Sequence, residues 1–326
     1  MQALWLENQT LSFRDDVPIP TPPEGEALIR VRLAGICSTD LELVRGYYPY
    51  AGIPGHEFVG DVVAASDANW RGVRVVGEIN ASCGECQTCR AGHPTHCERR
   101  TALGIINRNG AFAEYLILPV KNLHRVPASI PYEIAVFTEP LAAALEIQEQ
   151  VQIVPTDRVL VIGAGRQGQL IALTLALTGC DLQVVARHEY QRAALSACHI
   201  AAISEDAIPI RKMDVVVDAA GSPGGFELAR KAIRPRGTIV LKSTYAGDLR
   251  VNFSSIVVDE ITLVGSRCGP FEPALRLLES GLVDPRPLIT ARYPLSDGVS
   301  AFECAAKPGC FKVLLEGRGQ RIEGRG

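Results

Sequence analysis

The sequence predicts an α/β protein in which a β-rich unit leads into a doubly wound parallel sheet. Three observations carry this expectation. From residue 157 onward, short apolar strands alternate with helical stretches. A glycine-rich turn of the form G-x-G-x-x-G stands between the first of those strands and the helix that follows. The first 130 residues instead show short β-rich runs broken by Pro and Gly clusters.

Along the chain, ALIRVRLAGI (27–36), EFVGDVV (57–63), GVRVVGEI (72–79) and AFAEYLILP (111–119) read as strands, with breakers such as PIPTPPEGE (18–26) between them. Their spacing argues for a compact all-β or barrel-like unit. After Pro131 the pattern becomes helical through EIAVFTEPLAAALEIQEQVQI (133–153). The alternation then runs DRVLVIGAG (157–165), a helix to Thr178, DLQVVAR (181–187), a second helix, DVVVDAAG (214–221), a helix from Gly225 and GTIVLKS (237–243). The crossover between Leu195 and Met213 is short. Beyond Gly265 the pattern is irregular, with a helix at FEPALRLLESG (271–281) and a last strand FKVLLE (311–316). No internal repeat or low-complexity segment is present.

Composition narrows the function classes. With 326 residues, 47% apolar and 21% charged, the chain has the makings of roughly two soluble globular domains. A net charge of −3 supplies no field for nucleic acid or an anionic membrane, so small neutral or anionic ligands are the expected partners. The first ten residues have no basic segment ahead of an apolar core, and the apolar runs fall short of the roughly 18 residues of a membrane helix. A cytoplasmic location is expected. Four of the ten cysteines fall between Cys83 and Cys97, which reads as metal binding in a reducing compartment rather than a disulfide framework. The end of the chain, 317–326, contains IEGR and reads as an expression-tag remnant.

The most specific motif is Cys83, Cys86, Cys89 and Cys97, spaced C-x2-C-x2-C-x7-C. Four thiolates close a tetrahedral shell around zinc and leave no position for substrate, so this is a structural site. A redox dithiol is the competing reading, disfavoured because the cluster lies outside any βαβ unit. His93 and His96 lie inside the loop and are read as surface residues.

The second motif is Gly163, Gly165 and Gly168 in VLVIGAGRQGQL. The glycines permit a tight turn, close approach of a pyrophosphate, and close helix–strand packing. Arg166 adds a positive charge there, and Gln167 stands where an apolar residue is usual. An acid about 20 residues past the glycines would bind the ribose 2′-hydroxyl of NAD. Here the strand ends in Arg187 and His188, with Arg192 nearby, which offer cationic donors for a 2′-phosphate. NADP is therefore expected, with NAD possible because Glu189 is close.

A third constellation is Cys37 and His56, 19 positions apart, both ligand types that zinc prefers. These three features, in this order, resemble the zinc-dependent medium-chain dehydrogenase family, in particular its alcohol, polyol and threonine dehydrogenase branch. The resemblance implies a GroES-like catalytic domain from 1–148 and 270–316, around a Rossmann dinucleotide domain at 149–269. It implies a catalytic zinc, besides the structural one, held by Cys37, His56 and Glu139, with Glu57 the second choice for the third ligand. Asp40 would orient the zinc histidine, and Thr39 would take the alcohol proton into a relay ending at Glu42 or water. Lys312 would reach the cofactor pyrophosphate. The strand EITLVG (260–265) would pair across a two-fold, making a homodimer or homotetramer. The implied activity is hydride transfer between NADP(H) and a small alcohol, polyol, sugar or amino alcohol and its carbonyl counterpart. A zinc-independent enone or quinone reductase and a non-catalytic NADPH-binding protein are the alternatives; the Cys37 and His56 pair argues against the first, and Cys37, Thr39, Asp40, His56 and Glu139 together argue against the second.

Overall fold

The computed structural model describes residues 1–245 and 248–317. Apart from Gly317, the expected tag remnant lies outside the described residues. The chain divides into two compact units, residues 1–139 with 271–326, and residues 140–270.

The first unit is built on a seven-stranded sheet. Its centre is the ten-residue strand Glu26–Gly35, which pairs antiparallel with Glu57–Ala65, Tyr115–Pro119 and Lys312–Glu316. Arg74–Gly77 and Leu123–Arg125 extend one side, and Ile289–Pro294 pairs parallel with Lys312–Glu316 on the other. Alternate residues Ala27, Ile29 and Val31 and, past a register shift, Ala34 turn into a core shared with Phe58, Val62, Phe112, Leu118 and Val313. The reading of 282–310 as irregular misses the strand Ile289–Pro294 and the helix Gly298–Ala305, while the last strand stands where it was expected, at Lys312–Glu316. The helix packs Ala301 and Phe302 into that same core, and Phe302 meets Phe112 edge-on at 5.6 Å.

Register places three chain segments at one end of this sheet. Gly35 stands opposite Glu57, and Leu314 opposite Gly35, while the Ile36 amide donates to the Val313 carbonyl. Residues that follow Gly35, precede Glu57 and begin the Lys312 strand therefore converge, although they are far apart in sequence.

The second unit carries a six-stranded, all-parallel sheet. Its spatial order is Ala201–Ile203, Asp181–Val185, Arg158–Ile162, Met213–Asp218, Ile233–Leu241, Thr262–Gly265. In chain order this is 3-2-1-4-5-6, the doubly wound arrangement whose crevice opens where the order reverses. The helices Arg166–Ala176, Glu189–Ala197 and Pro223–Ala232 follow the strands. Leu160, Ile162, Val216 and Ile239 are fully or almost fully buried, as strands covered on both faces require. The short crossover read between Leu195 and Met213 contains one more strand, Ala201–Ile203, and the 3₁₀ turn Glu205–Ala207.

Candidate metal and dinucleotide sites

The four cysteines of the local motif come together around a short helix, Gln87–Arg90, and the 3₁₀ turn Pro94–His96. The Sγ–Sγ separations are 3.5 Å for Cys86–Cys89 and Cys83–Cys97, 3.8 Å for Cys86–Cys97 and 4.0 Å for Cys83–Cys89. A tetrahedron of sulfurs about 2.3 Å from zinc has edges of about 3.8 Å, so this shell fits that ion. Backbone N–H groups of Glu85 and Cys86 bring the Cys83 thiol down to about 6, while burial and neighbouring thiols push Cys89 up to about 12. His93 and His96 are exposed outside the sulfur shell.

The second cluster forms at the converging strand ends. Cys37 is the N-cap of the helix Ser38–Val44, His56 precedes the strand Glu57–Ala65, and Glu57 opens it. Their ligand atoms all lie within 4.8 Å of one another. Asp40, fully buried, accepts from the Cys37 amide at 2.8 Å through Oδ2, and its Oδ1 faces His56 Nδ1 at 3.3 Å. Burial opposes charging of His56, but Asp40 and Cys37 outweigh it and raise its pKa well above the ordinary value. Thr39 Oγ1 lies 3.9 Å from Cys37 Sγ.

Glu57 is 1% exposed and its Oε2 accepts from the ammonium of Lys312, itself 4% exposed. A Cβ at position 35 would strike Glu57 Oε2 and so would disturb its pairing with Lys312. Glu57 Oε1 is buried without a hydrogen-bond partner. Buried polar atoms are normally satisfied, so an orphan oxygen next to a thiol and an imidazole is itself a mark of a cation site. The donor set of sulfur, nitrogen and one carboxylate oxygen fits zinc with a fourth position open.

Three sequence expectations meet a different placement. The convergent set contains Glu57 rather than Glu139, which stands in the first turn of the helix Thr138–Gln150. The register Gly35↔Glu57 is the reason. Lys312 is sealed against Glu57 instead of open to a phosphate. Glu42 is turned to Arg45, one helical turn on, at 2.6 Å.

In the second unit, Gly163, Ala164 and Gly165 line a cavity of about 220 Å³ together with Val185, Arg187, His188, Gln191, Glu205 and Ala219. Gly163 has φ +97°, and a Cβ on Gly168 would collide with the Gly163 carbonyl. A Cβ on Gly165 would meet open space, which leaves room for a ligand at the helix N-terminus. Arg166 begins that helix, and Gln167 donates to the Pro140 carbonyl at 3.0 Å. Arg192 does not line the cavity. Its guanidinium donates to the carbonyls of Ala186 and Arg187 and pairs with Glu189, so it braces the turn. Glu205, which the sequence reading passes over, is the acid facing Arg187. It opens the 3₁₀ turn that follows the short strand hidden in the crossover, a place the sequence does not announce.

The profile of the alcohol dehydrogenase GroES-like domain matches residues 23–128. The sorbitol dehydrogenase of Halalkalibacterium halodurans is 30% identical over 91% of this chain and 93% of its own length. A solved structure from Sinorhizobium meliloti 1021, bound to NADP, superposes with a TM-score of 0.90 at 28% identity, covering 97% of this chain and 98% of that one. An alcohol dehydrogenase (rspB) from Escherichia coli CFT073, complexed with NADH, superposes with a TM-score of 0.88 at 29% identity, covering 97% and 99%.

Proposed function

Because the chain belongs to the zinc-type medium-chain dehydrogenase family and is an oxidoreductase, we propose that it is a zinc-dependent enzyme transferring hydride between NADP(H) and a small alcohol or polyol and its carbonyl counterpart. The observation that carries this reading is the convergence of half-buried Cys37 with buried His56 and Glu57, with the Glu57 Oε1 left without a hydrogen-bond partner. The relative named for sorbitol supports a polyol-like substrate.

Zinc bound there would supply Lewis acidity, which makes ionisation of a substrate hydroxyl accessible near neutral pH. Cys37, His56 and Glu57 hold the ion, in preference to a set containing Glu139. Asp40 Oδ1 faces His56 Nδ1 at 3.3 Å and would orient the ring so that its other nitrogen could serve a metal. Lys312 pairs with Glu57 through Oε2 and leaves Oε1 without a hydrogen-bond partner, so Glu57 would have an oxygen to offer a metal. Thr39 takes the proton released by the substrate hydroxyl. The four-cysteine shell binds a second zinc and ties down residues 83–97.

In the second unit, Gly163 to Gly168 receive the cofactor pyrophosphate and Arg187 with His188 receives the 2′-phosphate. The strand Thr262–Gly265 is an edge of its sheet, and Phe253, Val257 and Val258 nearby in sequence are exposed. Such an edge is protected by pairing with a second copy, which supports a homodimer or larger homo-oligomer. Sedimentation at micromolar concentration tests this, and a monomer refutes it. The activity is tested by a panel of alcohols, polyols, amino alcohols and their carbonyl partners with NADP and NAD, followed by nicotinamide absorbance. Turnover with no member of the panel, in a chain holding two zinc ions, overturns the reading.

A further inference from the structure

The parallel register of the nucleotide sheet brings a charge pair to the mouth of its cavity. Val185 stands opposite Ile203, and the Ala186 amide donates to the Ile203 carbonyl at 3.0 Å. Two residues beyond each paired position lie Arg187 and Glu205. Both strands point the same way, so both side chains emerge at the same edge of the crevice. The Arg187 Nε donates to Glu205 Oε1, and both residues line the cavity shared with the glycine turn. The pair is open to solvent, with side-chain exposures of 60% and 38%.

A pair this exposed is held weakly, so an incoming dianion can take the guanidinium from it. The carboxylate does not leave when that happens. It stays beside the phosphate, where like charge raises the free energy of the bound state, and it has no such quarrel with a ribose that bears a neutral hydroxyl. The backbone of Arg187 is fixed independently of its side chain, since its amide donates to Gln191 Oε1 at 3.1 Å. Losing the Glu205 charge therefore frees the guanidinium without dismantling the turn.

We propose that Glu205 is a specificity-determining residue that competes with the cofactor 2′-phosphate for Arg187 and so narrows the preference of this chain for NADP over NAD. The proposal rests on the assignment of Arg187 to the 2′-phosphate. It makes Glu205, in the turn after the neighbouring strand Ala201–Ile203, the acid that partly offsets the absence of one at the end of the Asp181–Val185 strand. Relatives bound to NADP and to NADH show that this fold accommodates both cofactors.

The test is equilibrium titration of the full zinc-loaded chain with NADPH and with NADH, read by nicotinamide fluorescence, for the unaltered protein, Glu205→Gln and Arg187→Ala. Glu205→Gln is expected to tighten NADPH about tenfold at low ionic strength, to leave NADH within about threefold, and to lose most of its effect in high salt. Arg187→Ala is expected to weaken NADPH selectively. If Glu205→Gln leaves NADPH unchanged or weaker, or tightens both cofactors alike, while Arg187→Ala still acts on NADPH alone, the role of Glu205 is overturned and the 2′-phosphate assignment stands. If Arg187→Ala weakens both cofactors equally, the assignment falls and the proposal with it.

Discussion

The two candidate metal constellations of this chain are built on opposite plans. The four cysteines lie within residues 83–97, three of them only partly buried, and their shell is made of one donor type. The Cys37, His56 and Glu57 set is drawn from two separate segments and steadied by Asp40 and by Lys312 from a third. A local loop with little core of its own gains order from a metal, whereas a site at strand ends receives its order from the sheet. Closed shells hold structure, and mixed shells with an orphan donor leave a position for chemistry.

Variants of the strand-end site break this comparison most sharply. Cys37→Ser should lose the catalytic zinc and lower turnover by about 10³-fold or more, because a metal of this kind supplies several kcal/mol to the reaction. The zinc count per chain should fall from two to one, with the remaining ion in the cysteine shell. Glu57→Gln should weaken the same zinc and Glu139→Gln should not. The reverse result in metal analysis would return the third ligand to Glu139.

Lys312→Met should come next, since it strands a buried carboxylate. Stranding one member of such a pair costs about 3–5 kcal/mol, which denaturant unfolding of the metal-free chain would register. Lys312→Met combined with Glu57→Gln should recover most of that loss. If the single and double variants are equally unstable, the pair is not what holds this corner together.

Thr39→Val should retain both zinc ions and the cofactor while turnover falls about 10², the scale of lost acid–base assistance. Full turnover under conditions where a substrate isotope effect shows hydride transfer to be limiting would remove Thr39 from the proton path. Cys83→Ala should affect chemistry least. It should release one zinc and lower the thermal midpoint, yet keep turnover at low temperature within about threefold, because a closed shell offers substrate no position. A turnover loss as large as that of Cys37→Ser would erase the distinction between the sites.

How much was legible beforehand differs between the regions for the same reason. Cys83, Cys86, Cys89 and Cys97 need only fold a loop on themselves, so their spacing announces them. Gly163 and Gly168 answer a local steric demand, a positive φ and a close carbonyl, which glycine alone meets. The alternation of strand and helix follows from the burial that each segment needs, so the doubly wound sheet was also readable. By contrast, Ala201–Ile203 is too short to announce itself, and Ile289–Pro294 is a short run ending in proline in which no residue is fully buried.

Sequence alone therefore determined the two-part α/β architecture, the sulfur shell and the glycine turn, since each is decided by residues that are neighbours along the chain. Tertiary structure decided that Glu57 lies within ligand reach of Cys37 and His56, that Lys312 pairs with Glu57, and that Glu205 faces Arg187. Those pairings depend on which strands lie side by side and in what register. A strand's partner is chosen by the burial of the whole sheet, so no spacing within one segment encodes it.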